Sequence, residues 1–294
     1  PIAGVMNHGV ISMMMETSKS DIEQFPPAAQ AKLEALMPVW TSCLETMKSG
    51  VAFGVSLGSK GLDVVQVMDT DDPEASLAAI QRGWTALLAT DLGVNATPIE
   101  ILRGKGIGYS IKIDAKQLMT SLGMSDMMPP VAAGQPDPMA MMQGMIDDVM
   151  SSDGMPMRCF IEGNNILTVM GNANLASARA LVKAGGADNA VSTALADTLA
   201  PPTFALVMDI REVIDGSMGF ARAIMGPMGA MLPPAAPAGG PVMLTMVGST
   251  EGTTWDQIRI KTNVKDWYAM IQQFQAEYQP PARPVAKAKA NEDM

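Results

Sequence analysis

The sequence is poor in the residues on which most enzyme sites depend. It has one histidine, His8, and two cysteines, Cys43 and Cys159, in 294 residues. A single histidine excludes a metal site with several His ligands and most His-based acid–base chemistry. Two cysteines are too few for a disulfide scaffold, so both are predicted to be buried free thiols, with one bridge as the alternative in an oxidising compartment. The sequence therefore predicts a protein that is not an enzyme and has no cofactor.

Positive charge is scarce as well. The chain has 20 Lys and Arg against 30 Asp and Glu, which gives a net charge of −10. An acidic field repels phosphate backbones, so no nucleic acid is expected as a partner. Residues 223–250 carry no charge, but their prolines and glycines prevent a helix that satisfies its own backbone in lipid. The sequence therefore predicts no membrane span.

Methionine is the residue in excess, with 28 copies, while aromatic residues make up only 4% of the chain. Methionine side chains are flexible and line apolar surfaces that adapt to different ligands. Two alternatives remain, because thioethers also bind Cu(I) and methionines at helical spacing are typical of an ordinary core. We place the binding surface in two segments rich in Met and Pro, residues 124–150 and 218–243. The candidate binding residues are Met127, Met128, Met139, Met142, Met145, Met225, Met228 and Met231.

Three segments of the chain begin in the same way. They read ISMMMETSK from Ile11, YSIKIDAKQ from Tyr109 and FALVMDIRE from Phe204. Each is predicted to be a strand that ends at an acidic residue, which caps the N-terminus of the next helix. These predicted caps are Glu16, Asp114 and Asp209.

Each of these openings is followed by a helix, a hairpin and a second helix. The hairpins are indicated by strand-like runs joined by short Gly- or Asn-containing links, such as PMRCFIE and ILTVMGN around GNN. In the last strand Ile258 and Ile260 alternate with polar residues, which predicts a sheet with one apolar face and one face in water. An extra strand is expected at TPIEILRG, before Gly106.

The pattern predicts an α+β fold of three diverged βαββα repeats, with mainly antiparallel sheets and helices packed on one face. The predicted units are residues 1–95, 96–190 and 191–278. Residues 279–294 lack apolar anchors and are expected to form a disordered tail.

Two phrases of the sequence resemble secreted or lipid-anchored bacterial envelope proteins of unknown function. They are ALADTLAPPTFALVMDIREVID, and FGVSLGSKGLDVVQV followed by DTDDPEASLAAI, and the resemblance covers most of residues 10–275. It implies a duplicated α+β fold and a periplasmic or extracellular location, and it supplies no catalytic residues. Because the chain begins with Pro1, we expect its N-terminus to be truncated or processed.

The predicted function is binding or assembly, without catalysis, through the Met- and Pro-rich apolar surfaces. The ligand would be a protein partner, with a homo-oligomer as one form of that assembly. The alternative is a carrier of an apolar small molecule or lipid.

Overall fold

The structure is a computed structural model that describes residues 2–58, 61–101, 104–124, 137–151, 153–172, 179, 203–225, 239–251 and 254–277. These residues form ten strands and seven helices. The strands are β1 (Ile2–Asn7), β2 (Met47–Gly58), β3 (Gly61–Thr70), β4 (Val94–Pro98), β5 (Gly106–Ile113), β6 (Met155–Glu162), β7 (Asn165–Met170), β8 (Phe204–Asp209), β9 (Met243–Glu251) and β10 (Thr254–Thr262). The helices are α1 (His8–Ile22), α2 (Pro27–Glu45), α3 (Pro73–Ala89), α4 (Ala115–Ser121), α5 (Pro138–Met150), α6 (Ile210–Met225) and α7 (Val264–Glu277).

All ten strands belong to one antiparallel sheet, in the order β10-β9-β8-β1-β2-β3-β7-β6-β5-β4. The predicted α+β class with antiparallel pairing is therefore confirmed. The three predicted hairpins form as β2–β3, β6–β7 and β9–β10. The strand before each hairpin pairs with the first strand of that hairpin, as β1·β2, β5·β6 and β8·β9. The pairs β1·β8 and β3·β7 join these three groups into the single sheet.

The prediction of a strand from Ile11 is wrong, because these residues lie in helix α1. The strand that opens the chain is β1, and Asn7 caps the helix after it by accepting a hydrogen bond from the Val10 amide at 2.9 Å. Glu16 lies exposed in the middle of α1 and caps nothing. A short apolar run fits a strand and a helix equally well. The buried residues Val10 and Met13 have helical spacing, but the apolar residues around them do not reveal it in the sequence.

The other two predicted caps are confirmed. Asp114 accepts a hydrogen bond from the Gln117 amide at 2.8 Å, at the start of α4. Asp209 accepts from the Arg211 amide at 3.0 Å and from the Val242 amide at 3.1 Å. Asp209 therefore ties the start of α6 to the segment that leads into β9.

The extra strand expected at TPIEILRG is displaced toward the N-terminus. Strand β4 ends at Pro98, and Ile101 packs beside Val65 and Leu167 on the sheet. Two further predictions fall outside the described residues: the second helix of the middle unit, LASARALVKAG, apart from Arg179, and the tail at 279–294.

The main core lies on one side of the sheet, which we call the helical face. Side chains alternate along a strand, and the pairing register places Met6, Val51, Met68, Ile166 and Met157 on this side. Helices α2, α3 and α5 pack on it through Leu44, Leu77, Ile80, Trp84, Ile146, Val149 and Met150. For these three helices the predicted packing on one face holds.

Helix α3 follows β3 in the chain but lies across β4, β5, β6 and β7. Its Leu77, Ile80 and Trp84 pack into the main core, and the Trp84 ring lies 5.8 Å from that of Tyr109 on β5. Its other buried side, formed by Ser76, Ala79 and Gly83, is turned by about 100° from this stripe, and Gly83 lies beside Trp40 and Cys43 of α2. Helix α3 thus uses two sides, one toward α2 and one toward strands that belong to a neighbouring group.

Candidate functional site: an open apolar surface on strands β8 to β10

The helical face of the sheet is uncovered at strand β10. Ile258 is 52% exposed and Ile260 is 60% exposed. Ile258 pairs with Gly248, which pairs with Phe204 and so with Met6, and this register places both isoleucines on the helical face. The sequence predicted one apolar face here, but in the structure this apolar side of β10 faces water.

An open groove of about 510 Å³ lies between α1 and this part of the sheet. Its floor includes Val10 and Met13, which are 1% and 8% exposed, whereas Met14 is 52% exposed at the rim. The apolar lining residues are Met6, Val10, Met13, Met14, Phe204, Met246 and Ile258.

Among the described residues, the polar lining of the groove comes only from α1. The Thr17 hydroxyl donates to the Met13 carbonyl at 3.0 Å, and the Ser18 hydroxyl donates to the Met14 carbonyl at 2.8 Å. Both protons are therefore engaged within the helix. Asp21 adds one exposed carboxylate. This arrangement suits an apolar occupant, which a positive charge near Asp21 would orient.

Helix α7 carries a second exposed apolar stripe. Val264, Tyr268 and Ile271 are 74%, 62% and 44% exposed, and their spacing places them along one side of the helix. Another side is anchored, since Met270 is only 2% exposed and Gln273 lies 3.4 Å from the Arg211 guanidinium. The stripe is therefore a feature of a docked helix.

The predicted methionine sites lie elsewhere. On α5, Met139 and Met142 are half-buried and Met145 is 39% exposed. Met225 is the last residue of α6, while Met127, Met128, Met228 and Met231 lie outside the described residues. The groove uses different methionines, Met6, Met13, Met14 and Met246. A ligand role for the eight predicted residues stays a prediction.

Sequence reasoning noticed the Met13 to Met15 triplet but assigned it to a strand. It missed Met6 and Met246, which lie outside the two segments chosen as the binding surface. The usable signal was the apolar alternation of Ile258 and Ile260 in a terminal hairpin strand, since an edge strand has a neighbour on one side only.

Both cysteines are buried free thiols, as predicted. Burial raises the pKa of Cys159 to about 11, against the lowering effect of the Thr168 hydroxyl at 3.3 Å. Burial also raises the pKa of Cys43, while the nearby Arg82 charge lowers it. A thiol that stays protonated at neutral pH is a poor nucleophile. The two side chains therefore act here as small apolar groups of the core.

A second hollow, of about 330 Å³, lies where β2 bulges between Met47 and Val51. Its lining includes Asp69, whose carboxylate already accepts a hydrogen bond from the Ser49 hydroxyl at 2.7 Å. Within the described ranges, no three His, Cys, Asp or Glu side chains are grouped so that they could hold a metal ion. No helix in the described part of the chain is long and apolar enough to cross a membrane.

Comparison with protein-family models, with curated proteins and with solved structures found no match to this chain.

Proposed function

We propose that this chain is a non-catalytic binding protein, and that its open apolar surface takes an amphipathic helix from a protein partner. We call the helical-face side chains of β8 to β10 together with the groove beside α1 the open surface. The observation that carries the proposal is the exposure of Ile258 and Ile260 on a face that is under helices elsewhere in the same sheet.

The energetics favour an apolar occupant of this surface. Burying an exposed Ile or Met side chain contributes about 1.5–3 kcal/mol, and several such side chains lie together here. Exposed apolar patches beside a groove are typical of interaction sites. Helix α3 on β4 to β7 provides an example within the same sheet of a helix seated on this face. A partner helix would need apolar residues at positions i, i+3 or i+4, and i+7.

A carrier of an apolar small molecule is the second candidate, because the groove volume of about 510 Å³ lies within the usual range of ligand pockets. Carriers bury most of their ligand, whereas this groove opens onto exposed Met14 and Ile258. The open shape therefore favours a partner that brings its own covering surface.

The proposed setting is the bacterial envelope, in the periplasm or outside the cell. This proposal rests on the resemblance to secreted and lipid-anchored proteins, and fractionation of the source cells tests it. Recovery of the protein in the cytosolic fraction alone would contradict it.

We also propose that the three groups of strands are diverged copies of one βαββα unit. The support is the recurring order of opening strand, helix and hairpin, with Asn7, Asp114 and Asp209 each at the start of a helix. An experimental structure tests this by superposition of residues 2–88, 106–172 and 204–277. Failure of the opening strands and hairpins to align would reject the repeat.

The binding proposal is tested by native mass spectrometry and hydrogen exchange on protein purified from its source. A bound protein partner, with slowed exchange in residues 10–18 and 258–261, is the expected result. The Ile258→Glu variant should lose that partner, while Ala35→Glu, an equal charge change at an exposed position of α2, should keep it.

Two other results would redirect the assignment. A bound lipid or other small apolar molecule that slows exchange only around the groove would favour the carrier. Exchange in residues 10–18 and 258–261 that no bound species alters would reject the open surface as a binding site.

A further inference from the structure

Strand β10 is equivalent to β3 and β7 in its place within a hairpin. Strands β3, β7 and β10 are each the second strand of a hairpin. Strands β3 and β7 pair with each other, in an antiparallel ladder that runs from Val64↔Met170 to Asp69↔Asn165. Strand β10 is the end of the sheet in the part of the chain that the structure describes. The second strands of two hairpins therefore pair with each other, while the second strand of the third hairpin, β10, has no such pairing among the described strands.

Helix α7 matches helix α3 in position and in pattern. Each follows the second strand of a hairpin, after a residue whose side chain accepts from a backbone amide, Asp72 before α3 and Asn263 before α7. Counted from these residues, Met270 of α7 corresponds to Ala79 of α3, and both are buried.

The second side of the two helices differs. In α3, Leu77 and Ile80 pack into the main core over the strands of a neighbouring group. The residues at the same count in α7 are Tyr268 and Ile271, which are 62% and 44% exposed. Helix α7 thus exposes to water the side that α3 uses to cover another group of strands.

On the helical face of the described sheet, strand β10 lacks the cover that β4 to β7 receive, whereas α1 lies beside β8 and β9 across the groove. On β10, Ile258 and Ile260 are exposed, while Ile166 on β7, the strand at the same place in its hairpin, is 1% exposed under the helices. The described part of the chain therefore carries both an exposed apolar side of a helix and an edge strand whose apolar side has no helix over it.

We propose that a second copy of this chain supplies both missing parts. Strand β10 pairs antiparallel with β10 of the second copy, as β3 pairs with β7. Helix α7 of each copy lies across β8 to β10 of the other, where Tyr268 and Ile271 cover Ile258 and Ile260. This inference rests on the proposed function, because it names the partner of the open surface.

The arrangement is closed and self-complementary. A two-fold axis through the β10 pair gives each copy the same two contacts, so this interface closes at two copies. Arg259 and Lys261 lie on the other side of β10, since side chains alternate along a strand. The side that meets α7 of the second copy is therefore apolar.

The first test is the molecular mass of the full chain in solution, measured by sedimentation over a range of concentrations. We expect a dimer whose dissociation constant rises at least about tenfold in Ile260→Glu and in Ile271→Lys. Both positions are exposed in the single chain, so circular dichroism should show both variants folded. The Ala35→Glu control should dimerise like the wild type.

A mixing experiment separates this contact from any other. In a mixed pair, Glu at position 260 of one chain meets Lys at position 271 of the other, and the second contact keeps both natural isoleucines. Mixing the two weakened variants should therefore restore dimers with one copy of each. Failure to restore them overturns the proposed contact.

The remaining outcomes distinguish the two proposals. The proposal of a second copy as partner is overturned if the chain is monomeric at every concentration. It is also overturned if neither variant changes the dissociation constant of the dimer. If residues 258–261 are still protected by a different bound protein, the proposed function survives that result. If nothing protects them, both proposals fail.

Discussion

The helical face of the sheet is covered by a helix in one half and exposed to water at the edge of the other. On β4 to β7 the helical face lies under α3, and Met157, Cys159 and Ile166 are at most 3% exposed. On β10 the same face carries Ile258 and Ile260 in water, while α7 turns an apolar stripe outward. Both halves have apolar alternation and capped helices, so local sequence does not separate them. An apolar stripe in the sequence predicts that its side chains are buried by a contact. It does not predict whether that contact comes from the same chain or from another one.

The largest effect should come from placing a charge in the two matching stripes. Ile80→Asp should lower the free energy of unfolding by about 3 kcal/mol, because the carboxylate enters the main core. Ile271→Asp should change it by less than about 0.5 kcal/mol in the monomer. Urea unfolding at low protein concentration measures both. Equal losses would mean that α7 is packed as α3 is, and the comparison would break.

The covered half should also show a pH dependence that comes from Cys159. Its pKa is raised from 9.0 to about 11, so the unfolded chain releases the thiol proton first as pH rises. The contribution of the protonated thiol to the free energy of unfolding should be fully present below pH 9. It should be lost between pH 9 and about 11, by about 2–3 kcal/mol in total. Cys159→Ala should lack this part of the loss. Parallel pH curves for the two proteins would show that water reaches this side of the sheet.

Helix caps should matter equally in the two halves, because their contacts are local. Asp114→Ala and Asp209→Ala should each cost about 0.5–2 kcal/mol, with Asp209 near the upper end because it accepts from two amides. Glu16→Ala, the predicted cap that lies mid-helix, should cost less than about 0.5 kcal/mol. Thermal unfolding compares the three. A cost at Glu16 as large as that at Asp114 would restore the rejected cap.

The smallest effect should come from the exposed isoleucines themselves. Ile258→Thr and Ile260→Thr should shift monomer stability by less than about 0.5 kcal/mol, because both side chains already face water. They should still reduce the fluorescence of a dye that binds apolar surfaces. Ile166→Thr, the matched change on a covered strand, should destabilise the protein by about 2 kcal/mol. Unchanged dye fluorescence in both exposed variants would show that the open surface is not where the dye binds.

Local features of the fold were readable from the sequence because they depend on neighbours in the chain. The GNN link predicted the β6–β7 hairpin, and Gly163 takes the positive φ of 60° that such a turn needs. Asp114 and Asp209 were recognised as caps from the strand before and the helix after. The prediction of a strand from Ile11 failed because this apolar run fits both periodicities, and packing against α2, β1 and β2 favours the helix.

The sequence by itself determined the hairpins, most helices, the caps at Asp114 and Asp209 and the apolar side of β10. Only the tertiary structure decided that one sheet joins all three groups through β1·β8 and β3·β7. It alone decided that α3 covers the strands β4 to β7 of the next group, while Ile258 and Ile260 stay in water. The physical reason is the distance in sequence over which each interaction acts. Alternation and capping depend on a few neighbouring residues, whereas the burial of a strand by a helix depends on tertiary contacts that no local pattern specifies.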